Sequence, residues 1–298
     1  MIRFVQALLN PEVTFIRYAF IAGIISSIPF GIIGSFVVVR RMSYIAGAVS
    51  HSVLGGIGLA LYLSGVAGVT FLTPMIGAFF FAVLSGLIIS AAVIRRRERL
   101  DTVIGAIWAV GMSVGLLFIS KTPGYGDPMS YIFGNILLIG RSDIILILIL
   151  NVIIISLSII FFNQFLAVSF DEEFAQVRGL KISFFQILLI LLVSLTVLLM
   201  ITIVGIVMVI ALLTIPPAIA GLFSRSLKRM ILKSILLCAA FTSAGLIVSY
   251  ILRLPTSSVT VALAGAVYLG AIGIKRLRIG NRVPRKTAGT EKADTGVE

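Results

Sequence analysis

Charge is scarce in this chain. Of its 298 residues only 12% are charged, while 59% are hydrophobic. Soluble domains run at about 45–50% apolar and about 25% charged, so a soluble globule is excluded. Cysteine and histidine are scarcer still: Cys238 and His51 stand alone. One cysteine excludes an internal disulfide, and in its apolar run Cys238 reads as a small buried residue. One histidine excludes a multi-histidine zinc site within one copy. There is no GxxxxGK(S/T) stretch, so ATP cannot be cradled by that route. GxSxG, HExxH and paired-cysteine patterns are missing too. So is a cleavable leader: the first apolar stretch, Ala19 to Val39, is too long for one and lacks a cleavage site before Arg40. Strand-length alternation is absent, which excludes a membrane β-barrel.

What is present is long apolar runs, with a mean hydropathy of +1.18. A helix needs roughly 20 apolar residues to cross the hydrocarbon. Runs fall at about 15–39, 43–63, 68–94, 102–120, 143–163, 182–202, 203–222, 231–252 and 257–274. The reading is an all-α polytopic membrane bundle of eight or nine spans. The sixth and seventh runs merge without a polar loop; only Thr202 and Gly205 suggest a break. Three divisions follow: an amphipathic lead-in over 1–14, a transmembrane domain over 15–277, and a basic, disordered tail over 278–298.

The net charge is +13. The bases cluster at Arg95–Arg99, Arg225–Lys233 and from Lys275 onward. Such clusters read as cytoplasmic loops, with anionic lipid head groups as neighbours, rather than as a nucleic-acid surface. Placing them inside puts Lys121 to Arg141 outside. That segment carries turn formers at Pro123, Gly124, Gly126, Asp127 and Pro128, then an apolar stretch, Met129 to Ile139, able to dip into the interface. The N-terminal side stays open, since nine spans put Arg3 and Arg17 outside.

One charged island interrupts the apolar runs, Phe170 to Lys181, reading FDEEFAQVRGLK. Phe170, Phe174 and Val177 recur at helical spacing, Asp171 stands at the start and Gly179 at the end. A polar-faced helix between spans must lie on the membrane surface, where another protein can grip it.

Within the spans, His51 lies about 12 Å below the start of its helix, close to the midplane. A titratable group there reads either as functional or as a neutral ring bonded to a neighbouring carbonyl. Gly47, Gly55, Gly56 and Gly58 on the same span read as close helix packing, or as exposed backbone along a path. Pro216 and Pro217 remove helical hydrogen bonds, predicting a kink or re-entrant turn. Asp101 and Asp143 sit at span ends. Ion-coupled carriers place acids in the bundle interior, so their scarcity here points to energy supplied by another chain.

Five stretches together resemble the permease subunit of ABC-type divalent-metal importers for zinc, manganese and iron: VVRRMSYIAGAVSHSVLGGIGLAL, LDTVIGAIWAVGMSVGLLFIS, DPMSYIFGNILL, SFDEEFAQVRGL and LRLPTSSVTVALAG. Their order and spacing carry the resemblance, from about Phe15 to Leu277. It implies that residues 170–181 form a coupling helix docking in a separate ATPase subunit, with Asp171, Glu172, Glu173, Phe174, Ala175 and Gly179 at the contact. It also implies a second permease copy, an extracytoplasmic solute-binding protein, ATP on the partner, and a bacterial cytoplasmic membrane. No cofactor belongs to this chain; a divalent metal is cargo. His51 would stand on the path, with Ser50, Asn135, Pro216 and Pro217 shaping it. Two departures stand out. The family pattern has an Asp four residues before the His, where this chain has Gly47, and an acid where Asn135 stands. The alternatives are an ABC permease for a metal chelate and, from another class, a stand-alone membrane enzyme or secondary carrier.

Overall fold

The computed structural model describes residues 14–69, 71–95, 99–124, 132–134 and 141–280. The N-terminal lead-in up to residue 13, Asn135 and the tail beyond 280 lie outside the described residues. The helices are α1 Thr14–Val39, α2 Ser43–Gly65, α3 Pro74–Arg95, α4 Leu100–Lys121, α5 Arg141–Ile160, α6 Phe162–Phe170, α7 Glu172–Val177, α8 Ile182–Leu222, α9 Leu227–Leu252 and α10 Thr256–Gly280. Among the described residues no strand occurs, and nine stretches are long and apolar enough to cross a membrane. Two of the nine, Ile182–Ile201 and Val204–Leu222, belong to α8.

The break between those two spans falls at Gly205, whose φ of 78° and ψ of 170° suit glycine alone. A side chain there would strike the backbone of Ile132, Phe133 and Gly134. Residues 132–134, between α4 and α5, therefore lie against the kink, while the rest of Met129–Ile139 lies outside the described residues. Pro216 and Pro217 do not make the break: the helix runs through both.

α2 sits at the centre, packed on α4 and α3. Lipid tails are as apolar as leucine, so helices in a bilayer associate through close van der Waals contact and small residues. That is what α2 uses. A methyl at Gly55 would stand 2.8 Å from the Gly111 carbonyl oxygen of α4. Gly58 presses in the same way on Gly115 of α4, and Gly56 on Gly77 of α3. Of the two readings of the α2 glycines, close packing is the one observed for these three.

The other half of the bundle is α1, α8 and α9. Ser35 donates to its own-helix Gly31 oxygen at 2.6 Å and meets Ser234 of α9 at 3.1 Å. Buried hydroxyls elsewhere, such as Ser27, Ser90 and Thr196, bond the carbonyl four residues back, so they sit in helices without stranding a donor.

The fifth apolar run is shorter than its composition suggests. α5 ends at Ile160, the chain turns at Phe161, and α6 follows. The cause is aromatic packing. Phe165 of α6 is fully buried, with its ring 5.8 Å from Phe36 of α1 and 6.2 Å from Phe185 of α8, edge to face. Each such pair contributes about 0.5–1.5 kcal/mol beyond burial.

Candidate functional site

Two places carry chemistry. The first is the face of α2 that packs on α4. His51 stacks on Trp108 of α4, ring centroids 4.4 Å apart and planes 20° from parallel. Its Nδ1 is buried with no hydrogen-bond partner among the described residues, which removes the reading of a ring bonded to a neighbouring carbonyl through that nitrogen. Trp108 itself stays 37% exposed. One helical turn before His51, Gly47 leaves room for the same indole: a methyl at position 47 would stand 2.7 Å from Trp108 Cζ3 and 3.1 Å from Cη2. Ser50 points elsewhere. It is fully buried, and its Oγ donates to Ala46 O at 2.8 Å. Among the described residues no group of three or more His, Cys, Asp or Glu could hold a metal ion. Asn135 lies outside the described residues.

Pro216 and Pro217 lie in the other half of the bundle, against α1. Each deprives the carbonyl four residues earlier of its N–H. Cys238 of α9 compensates the first, its Sγ reaching Leu212 O at 3.6 Å. The second, Leu213 O, packs against Gly34, where a methyl would stand 2.7 Å away. The backbone angles stay helical at both prolines.

The second place is the charged island. Asp171 caps α7, its Oδ1 accepting from Phe174 N at 2.8 Å. Gly179 closes the turn with φ 76°, its N–H donating to Gln176 O and Leu180 N–H to Ala175 O. Glu172 is the knot. Its Oε1 accepts from Arg40 Nη2 at 2.7 Å and from Gln186 Nε2 at 2.8 Å. Arg40 also donates from Nη1 to Val168 O at 3.0 Å. The Arg40–Glu172 pair thus ties the residue after α1 to α6, α7 and the start of α8. Ala175 is fully buried. Phe170, Phe174 and Val177 are 64%, 48% and 88% exposed, an apolar face turned away from the bundle. A groove of 710 Å³ opens beside it, lined by Ile94, Asp171, Glu173 and Gln176 among others.

One basic cluster reaches this end. Lys228 of α9 lies over the Phe162 ring at 5.8 Å, and Arg40 holds Glu172. Alternation of the spans places the same loops together. The His51 wall and the island form separate sites: His51 lies about two turns along α2 from the end where Arg40 sits.

Sequence reading did not pick out Trp108, Arg40 or Gln186. The first two left a trace: Trp108 is the only tryptophan, and Arg40–Arg41 is a basic pair at a span end on the island's side.

A multi-span, all-helical membrane protein with one fastened surface helix is the class this fold defines. The chain belongs to the ABC 3 transport family, matched over residues 12–275. It is 36% identical to an uncharacterized membrane protein of Synechocystis over 91% of this chain and 94% of that one. It is 32% identical to the manganese import system permease protein ScaB of Streptococcus gordonii, over 86% of this chain and 89% of that one. Among solved structures, PsaBC from Streptococcus pneumoniae in complex with Fab matches with a TM-score of 0.81 at 31% identity, covering 94% of this chain and 100% of that one. Family membership removes the stand-alone enzyme and the ion-coupled carrier.

Proposed function

We propose that this chain is the membrane-spanning permease of an ATP-driven importer that carries a divalent metal ion across a bacterial cytoplasmic membrane. Two copies would form the path. A separate ATPase would grip α7, and an extracytoplasmic binding protein would deliver the ion. The observation that carries the reading is α7. Its exposed Phe170–Phe174–Val177 face and Glu173 offer a partner an apolar contact rimmed by charge. Glu172 fastens the same helix to α1 and α8, so a push on α7 reaches the spans. The manganese permease relative supports a divalent metal as cargo, and His51 is the residue we assign to the path.

The test is co-purification and uptake. With the ATPase and binding protein of the same importer co-expressed, wild type should yield a complex and accumulate metal. Glu173→Arg, on the exposed side of α7, should lose the complex while still inserting and folding. An unchanged complex would overturn the docking assignment. Uptake of the free ion, compared with a chelated one, settles the cargo.

A further inference from the structure

We infer that Trp108 is a specificity-determining residue: it occupies the side-chain slot beside Gly47 and holds the His51 ring, giving the path an imidazole wall without a carboxylate at position 47. This deepens the metal-importer reading and rests on it.

Three observations meet at one point. The slot is filled, because any Cβ at position 47 would lie within 2.7 Å of the indole. The imidazole is oriented by a ring face, at 4.4 Å and 20°. Nothing else described orients it through Nδ1, which is buried and unbonded. A metal-binding histidine ordinarily has its second nitrogen fixed by a carboxylate, a carbonyl or water. Here the indole takes over that orienting task. Chemistry then sets the preference. Carboxylate and carbonyl oxygens suit Mn²⁺, whereas imidazole suits borderline ions such as Zn²⁺. An aspartate at 47 would share a face with His51, one turn away, and would supply the hard oxygen. The indole stands where that side chain would begin. Gly47 and Trp108 are therefore one device: without the glycine the indole has no seat, and without the indole the ring turns free.

The composition supplies its own probes. The chain has one tryptophan and one histidine, so each gives a single spectroscopic signal in the full chain. In lipid nanodiscs, the His51 ring protons should be shifted upfield by the indole ring current. They should return to ordinary positions in Trp108→Leu and stay shifted in Trp108→Phe. Adding ZnCl₂ should change the Trp108 emission in wild type and leave it unchanged in His51→Ala. Identical histidine resonances in wild type and Trp108→Leu would overturn the inference.

Uptake tests selectivity, with ZnCl₂ and MnCl₂ supplied separately to cells carrying the whole system. Trp108→Leu should lower Zn²⁺ uptake at least about tenfold, the scale of losing an orienting partner, and Trp108→Phe should restore part of it. Gly47→Asp alone should lower uptake of both ions, because it meets the indole. Gly47→Asp with Trp108→Ala should recover uptake and raise the Mn²⁺ to Zn²⁺ ratio about tenfold over wild type. Wild-type uptake from Gly47→Asp alone, or a double variant with the wild-type ratio, would overturn the inference. Failure of the parent reading looks different: wild type then takes up neither ion, the selectivity assignment falls with it, and the histidine resonance still moves on Trp108→Leu.

Discussion

At one end of the molecule, a charged side chain does the holding. Glu172 takes hydrogen bonds from Arg40 and Gln186, and Arg40 also bonds Val168 O of α6, so one ion pair joins these segments. In the middle of the bundle the holding is done by missing side chains. Gly55, Gly56 and Gly58 let backbone touch backbone, and Gly47 lets an indole lie flat against α2. The contrast follows from the surroundings. At the membrane surface, water competes for every charge, and only a well-partnered one stays ordered. Inside hydrocarbon no hydrophobic force draws apolar helices together, so contact distance decides.

The sharpest way to break the comparison is to add volume in the middle. Gly56→Leu should leave no folded protein, because its Cβ would already overlap the Gly77 carbonyl. Gly56→Ala brings the same Cβ without the branched end and should cost about 3 kcal/mol or more, the upper end of overpacking, because the obstacle is backbone. The lone cysteine reports it: Cys238 is buried, so a thiol-reactive dye labels it as the bundle opens. A melting curve for Gly56→Ala that overlays wild type would show that the glycine contacts are slack.

The second test reverses a charge at the other end. Arg40→Glu sets two carboxylates against each other where one was paired at 2.7 Å. Hydrogen bonds to charged groups contribute about 1.5–3 kcal/mol, and much of that should be lost from the fastening of α7 rather than from the bundle. The expected signature is a loss of transport of about tenfold or more with the thiol-labelling melt little changed. Arg40→Glu with Glu172→Arg should restore part of the transport. A large fall in melting temperature, or no rescue by the swap, would put Arg40 in the scaffold and not in the fastening.

The same contrast explains what could be read in advance. Span positions, the break near Gly205 and the short helix with Asp171 and Gly179 at its ends were legible, because each depends on local composition or on a residue with a special backbone. The island's acids were legible as a group, but not the division of labour among them: Asp171 turned to its own helix, Glu172 to Arg40. That division depends on which helices lie beside it. The Gly47–Trp108 fit was not legible at all. A glycine announces that something comes close without naming it, and Trp108 lies on another helix far along the chain. What the Pro216–Pro217 pair costs α8 was not legible for a similar reason. The cost of a proline is set by what its orphaned carbonyl faces, and here the Cys238 thiol and the close approach of Gly34 come from α9 and α1.

The smallest expected effect bears on that last point. If the Cys238 thiol satisfies the carbonyl that Pro216 orphans, its replacements should rank by donor strength. Cys238→Ala removes the donor and leaves Leu212 O bare, a loss of up to about 1 kcal/mol because S–H is a weak donor. Cys238→Ser keeps a donor, and a stronger one, in nearly the same volume. The serine variant should therefore melt at or above wild type and the alanine variant below it. Trp108 emission or light scattering can follow the melt, since the thiol is gone. Equal stability of the alanine and serine variants would mean that the carbonyl needs no partner. Cys238 would then be ordinary packing.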